Sequence, residues 1–325
     1  MGTPEKASKH AAEEKIPAVI VVEGEVAQTR RNGVLRRVGR ATYLKEAALR
    51  NLFLLCAFMA VAGVLLIFLF VGVRGWPIFA KVGVVPFLTG MRWLPSQGTF
   101  GVAPMIVNSF LVMIGALVMG TPLALGTAIF LSEVATPRVR SVVRPAVELL
   151  AGIPSVIYGF FGLVMLRPLI TAWSHTLGFG LLSVSIVLGV MIVPTIAAIS
   201  EDALRSIPGG IREASYAMGA TTWQTIWRVL LPSAKIGIID AVILGMGRAI
   251  GETMAVVMVA GNAPVVPSSL FQPLMTVTAA IVMDMSYASG DHRTALFGLA
   301  IILFLISMSF VLVLRLLSKL GGEDG

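Results

Sequence analysis

The sequence predicts an all-α, polytopic membrane protein with six transmembrane helices. Three observations carry this expectation. Of the 325 residues, 57% are hydrophobic and only 13% are charged, against roughly 45–50% apolar and ~25% charged in soluble domains. The apolar residues gather in runs that reach the ~20 residues needed to cross a bilayer. Those runs are continuously apolar rather than alternating, which suits helices and not a barrel. The same figures exclude a soluble enzyme, a disordered regulator and a small disulfide scaffold. The single cysteine, Cys56, has no intrachain partner. The net charge of +8 is not a nucleic-acid footprint, because most basic residues flank apolar runs, where they set membrane orientation.

The elements follow in order. Residues 1–51 form a polar, basic tail of mixed charge, so the first apolar run starts too late and is too long to be the h-region of a cleavable leader. It ends in a basic amphipathic segment from Val34 to Arg50. Orientation with contact to anionic lipid is one reading of this segment, and a regulatory interaction is the other. The expected spans are Leu52–Val73, Pro104–Leu131, Leu149–Leu166, Leu181–Ser200, Ile236–Gly261 and Thr294–Leu314. The first helix and its following loop occupy 52–103, a core of five helices occupies 104–317, and 318–325 is a short tail. Lys and Arg number ten in 1–51, three in 132–146, four in 201–235 and two in 315–325. The alternate segments hold three in 74–103, one in 167–180 and one in 262–293. Nineteen against five places both termini and the 132–146 and 201–235 loops in the cytoplasm. Trp76, Pro77, Trp93 and Pro95, with Pro264, Pro267 and Pro273, suit interfacial anchoring and ordered turns on the other side. Pro154, Pro168 and Pro194 are candidate kinks.

Soluble catalytic motifs are missing. Gly-Lys never occurs, so there is no GxxxxGK[ST] phosphate loop, and neither HExxH nor GxSxG is present. His10, His175 and His292 lie on different segments, and His175 suits an ordinary interfacial role. No enzyme chemistry, cofactor or metal site is expected.

The 201–235 loop is the most informative. Pro208 starts a short helix that Gly219 ends in a left-handed conformation. Thr221 and Gln224 have capping-box spacing for a second helix, which Pro232 stops. Ala214, Ser215 and Ala217 would let another protein pack closely on the first helix. Trp223, Ile226, Trp227 and Leu230 form an apolar stripe on the second. Physics alone leaves two readings: a hairpin lying on the bilayer, or a docking knob.

A second constellation lies on the fifth span. A charge at the bilayer centre costs ~2.5–3.5 kcal/mol on insertion scales, and this span carries both Arg248 and Glu252. Four residues apart on a helix, they face one side and can pair. Asp240 lies two turns earlier on roughly the same arc, and Gly245, Gly247 and Gly251 permit close helix approach. The pair is either a structural lock or a polar lining for a charged substrate. An arginine fork suits a phosphate-like anion, because it donates two hydrogen bonds to paired oxygens.

Glu213-Ala214-Ser215, three residues to Gly219, nine to Val229 and then Leu231-Pro232 resembles the EAA signature of ABC-importer permeases. Ser215 stands for the usual Ala and Val229 for the usual Ile. The resemblance implies that this loop, through Glu213, Ala214, Ser215, Gly219, Leu231 and Pro232, docks in a cleft of a separate ATPase subunit, and it accounts for the missing phosphate loop. The segments 245–256, 261–264, 151–159 and 122–133 resemble the phosphate-specific permeases of the high-affinity phosphate importer, and the likeness covers about residues 100–315. Residues 262–273 and the long tail look more like the PstC than the PstA type. What the resemblance implies is a type I importer permease in the cell (inner or cytoplasmic) membrane. Its implied partners are a second, PstA-like permease, an ATPase dimer and a periplasmic or surface phosphate-binding protein. Phosphate would be the substrate, with Arg248, Glu252 and Asp240 on its path. The alternatives are a permease for another oxyanion or phosphonate, an ATPase-independent secondary transporter, for which no convincing internal repeat is found, and a channel-like scaffold.

Overall fold

The computed structural model describes residues 40–320. The expected 1–51 tail up to residue 39 and the end of the C-terminal tail lie outside them. The chain divides at Leu66/Ile67 into two units, inside the long helix α1 (Arg40–Val82). Of the first unit only that helix is described. The helix continues well past both ends of the expected first span.

The second unit is a helical bundle. Five of the described helical runs are long and apolar enough to cross a membrane: Ala48–Val82, Ala103–Val134, Ser155–Ser174, Leu181–Arg205 and Gly290–Leu312. A sixth arises if Thr222–Ser233 and Lys235–Gly251, which meet at 72°, count as one bent span. After α1 come α2 (Val84–Thr89) and a two-stranded antiparallel hairpin, β1 (Trp93–Leu94) with β2 (Thr99–Phe100), in which Trp93 pairs with Phe100. The centre of the bundle is α3 (Ala103–Ile129) against α7 (Leu181–Arg205). They run parallel and almost touch. A Cβ at Gly115 would fall 2.1 Å from Ser185 Oγ, and one at Gly120 would fall 2.6 Å from the Gly189 carbonyl. With no hydrophobic drive between helices in lipid, such small-residue contacts are what let backbones pack. Met105, Val112, Ala116, Leu188, Met191 and Ile192 fill the seam.

The third span is displaced from its expected limits. Leu149–Ala151 belongs to an amphipathic helix, α4 (Pro137–Ala151), which ends before Pro154. Pro154 has no N–H for a helical bond, and its ring would strike the preceding turn. The spanning run is α5 (Ser155–Phe161), a π-turn over Gly162–Leu166 and α6 (Arg167–Ser174). Pro168 does not break it, because it sits in the first turn after the π-turn, where a missing N–H costs little. Pro194 lies buried within the uninterrupted α7. The fourth span runs on to Arg205 and carries Glu201, 1% exposed, inside it. The last, α14 (Gly290–Leu320), is longer at both ends than expected.

The 201–235 loop folds as α8 (Gly209–Ala217), α9 (Thr222–Thr225), a π-turn over Ile226–Leu230 and α10 (Leu231–Ser233). It leads into α11 (Lys235–Gly251), α12 (Met254–Val259) and α13 (Val277–Asp284). The expected fifth span, Ile236–Gly261, is therefore two helices broken at Glu252–Thr253.

Candidate functional site

The knob follows the predicted pattern with one redistribution. Gly219 has φ 81 and its amide bonds to the Tyr216 carbonyl at 2.9 Å. The capping box forms in both directions, from Gln224 N to Thr221 Oγ1 at 3.3 Å and from Thr221 N to Gln224 Oε1 at 2.9 Å. Pro232 does not stop the second helix at once; the chain stays helical to Ser233. The π-turn just before it closes Leu231 N onto Ile226 O. The apolar stripe splits between two duties. Ile226 and Leu230 are buried with Ala128, Leu204 and Ile207, whereas Trp223 and Trp227 stack edge to face at 5.6 Å and stay more than half exposed. Met218 is 89% exposed, and Glu213, Ala214 and Gly219 are exposed as well. Ser215 faces inward and bonds Thr225 Oγ1 at 2.9 Å. Leu231 is half-buried and Pro232 exposed.

Two ionic clusters fasten this end of the bundle, and neither is among the sequence-predicted site residues. Arg212 of α8 holds Glu133 with both arms, at 2.9 and 3.2 Å, and also caps the carbonyls of Ile207 and Leu204 at 2.7 and 2.8 Å. The Glu133 hydrogen bond holds its guanidinium pKa above the ordinary arginine value, against the opposing effect of burial. Glu201 receives Arg140 Nε at 3.1 Å and Arg144 at 3.5 Å, and Arg144 reaches Asp202 at 3.0 Å. Arg144 is likewise shifted upward, first by its bond to Glu148. These contacts tie α4 to the end of α7. The i, i+4 spacing of Arg140 and Arg144 was the available signal, since it puts both on one face of a helix.

Arg248 and Glu252 do not pair as the helical spacing predicts. Helix α11 ends at Gly251, and Glu252 turns out with ψ 134, so the four-residue geometry is lost. Glu252 Oε1 instead accepts the Ala255 amide at 3.2 Å. Arg248 contacts Thr195 Oγ1 and the Ala151 carbonyl, both at 3.4 Å, and makes no ion pair among the described residues. At ~1.5 Å per residue it lies about 20 Å along α11 from the knob. The helix has two faces. Gly237 and Gly245 pack on α7, where an added Cβ would lie 2.5 Å from Ala203 Cβ and 2.6 Å from Ile196 Cδ1. Among the described residues Gly247 and Gly251 meet nothing within 4 Å; with Asp240 and Leu244 they form an exposed face. Of the three glycines expected to bring helices together, only Gly245 does so among the described residues.

Residues 120–320 match the family described as binding-protein-dependent transport system inner membrane component. The chain is 38% identical to the phosphate transport system permease protein PstC of Pasteurella multocida, across 76% of this chain and 84% of that protein. It belongs to this permease family. It is also 34% identical to PstC of Mesorhizobium japonicum over 97% of this chain and 99% of that one. Identity to the probable ABC transporter permease protein YqgH of Bacillus subtilis is 44%, over 85% and 92% of the two chains. A bacterial ABC transporter involved in alginate import has the same fold, with TM-score 0.58 at 17% identity over 85% of this chain and 98% of that one. Membership makes the chain a multi-pass inner-membrane transport component rather than an enzyme. What sequence reasoning missed within this family framework is the surroundings of Arg248. Thr195 and the Ala151 carbonyl come from segments 53 and 97 residues away, and only packing brings them there.

Proposed function

We propose that the chain is the transmembrane permease subunit of an ATP-driven inorganic phosphate importer, PstC-like in its role. The single observation that carries the path assignment is Arg248, a guanidinium in an apolar span with no carboxylate partner among the described residues. An intramembrane charge faces a cavity or a partner, and the helix break at Glu252–Thr253 is the irregular backbone tolerated where a cavity is lined. Phosphate supplies the missing counter-charge, and the planar fork supplies paired donors. Asp240 and Glu252 flank the path and bias it against a second trapped anion. The exposed face of α11, with Gly247 and Gly251, lies toward a second, PstA-like permease, so that the substrate passes between the two subunits.

ATP hydrolysis belongs to a separate ATPase dimer. The exposed surface of Glu213, Ala214, Met218, Trp223 and Trp227 is its docking site, and Gly219, Ser215, Leu231 and Pro232 give the knob its shape. Both termini and the knob lie in the cytoplasm, and a periplasmic or surface phosphate-binding protein delivers the anion to the opposite end. The test is uptake of labelled phosphate by the reconstituted complex, normalised to assembled importer. Arg248→Gln abolishes uptake and leaves assembly intact; Arg248→Lys, which keeps charge and loses the fork, is strongly impaired. Near-normal uptake in Arg248→Gln refutes the path assignment.

A further inference from the structure

At the end of the bundle opposite the knob, the chain from Gly261 to Thr276 contains no helix. It doubles back on itself: Leu274 N bonds Ala260 O at 3.0 Å, and Gly261 and Leu274 form a parallel bridge. Leu274, Met275 and Thr276 are at most 7% exposed. Backbone carbonyls buried in such a segment have no helical partner and need donors from elsewhere. Asn108, in the second turn of α3 and 0% exposed, supplies both. Its amide nitrogen donates to Val265 O at 2.9 Å and to Met275 O at 3.0 Å, one on each limb of the segment. The neighbouring Ser109 Oγ accepts the Val277 amide at 3.1 Å. One residue further, Thr278 Oγ1 donates to the Glu252 carbonyl at 2.9 Å. A continuous run of contacts therefore joins Asn108 to the break that ends the Arg248 helix.

The Asn108 side chain is only half used. Its carbonyl oxygen is buried and accepts no hydrogen bond from the described residues. An unpaired buried acceptor offsets part of what the two bonds return, whereas a side chain without donors leaves both the Val265 and the Met275 carbonyl unpaired, so replacing Asn108 by one releases the segment. A plain structural tie would favour a side chain whose polar atoms are all satisfied. We propose that Asn108 is a positioning residue for transport: it latches the 261–276 segment as a gate across the path at the end opposite the knob, in balance between held and released. The inference rests on the transport reading above, and the experiment separates the two.

The assay uses the complete reconstituted importer in a Cys56→Ser background. The buried Met275 is replaced by cysteine and alkylated with a membrane-impermeant maleimide, and leak of trapped labelled phosphate is followed without ATP. Asn108→Leu, close in size but without donors, speeds alkylation at least tenfold and raises the ATP-independent leak at least tenfold, with assembly unchanged. Asn108→Ser gives the same two changes and serves where the leucine variant does not assemble. Unchanged alkylation overturns the latch. Faster alkylation with no leak also overturns the proposal, because the segment then moves without gating the path. A parent complex that shows no ATP-driven phosphate uptake refutes the transport reading instead, and alkylation still reports on the latch.

Discussion

Replacing Arg212 by alanine severs the main fastening of the knob to the bundle. Arg212 makes four hydrogen bonds, two to Glu133 at 2.9 and 3.2 Å and two to carbonyls at 2.7 and 2.8 Å. The Glu133 side chain is only 7% exposed, and that of Arg212 is 21% exposed. Removing one member of a buried pair costs ~3–5 kcal/mol, chiefly because the other charge is stranded. Water reaches the partly open arginine site, which places the loss at the lower end, about 3 kcal/mol. That is roughly a hundredfold rise in the undocked population. Hydrogen exchange in the assembled importer reads it directly: amides of Gly209–Ala217 lose about two decades of protection, while those at the centre of α7 keep theirs. Arg212→Met/Glu133→Leu leaves no stranded charge and recovers most of the protection. If Arg212→Ala leaves the α8 amides as protected as before, the fastening argument fails. If the double variant is no better than the single, the stranded-charge explanation fails.

Three further outcomes are expected. Gly219→Val strains a backbone at φ 81 although nothing lies within 4 Å of the site; it loses ATPase co-purification and uptake, whereas Gly219→Asn, which tolerates the left-handed region, keeps both. Gly120→Leu drives side-chain atoms into the Gly189 carbonyl and Ile192, so the α3–α7 seam parts and the apparent Tm of the purified chain falls steeply, whereas Gly126→Leu, with nothing within 4 Å, is neutral in the same thermal assay. Glu201→Ala strands Arg140 and releases α4, read as faster exchange of the Pro137–Ala151 amides; equal exchange rates in variant and parent refute the clamp.

Much was legible in residue order, because it depends on neighbours in the chain. The apolar runs, the left-handed Gly219, the Thr221–Gln224 capping box and the helix–turn–helix pattern of the knob all follow from local geometry and short spacing. Span limits were less legible. Pro154 sets a break through its missing N–H, but Pro168 does not, since a π-turn had already shifted the hydrogen-bond register before it. The Trp223–Leu230 stripe was readable as apolar, yet nothing in its spacing says that Ile226 and Leu230 turn inward while the tryptophans remain outside.

The sequence by itself determined that this is a helical membrane permease with a knob between two of its apolar runs, and that a cation lies within one of those runs. Periodicity, charge bias and a spaced motif are one-dimensional signals of those properties. Only the tertiary structure decided what Arg248 faces. The helix ends one residue before Glu252, and Thr195 and the Ala151 carbonyl arrive from distant segments. A hydrogen bond depends on where two backbones meet, and helix packing through Gly115, Gly120 and Gly245 sets that meeting at sub-ångström tolerances that spacing along a chain cannot express.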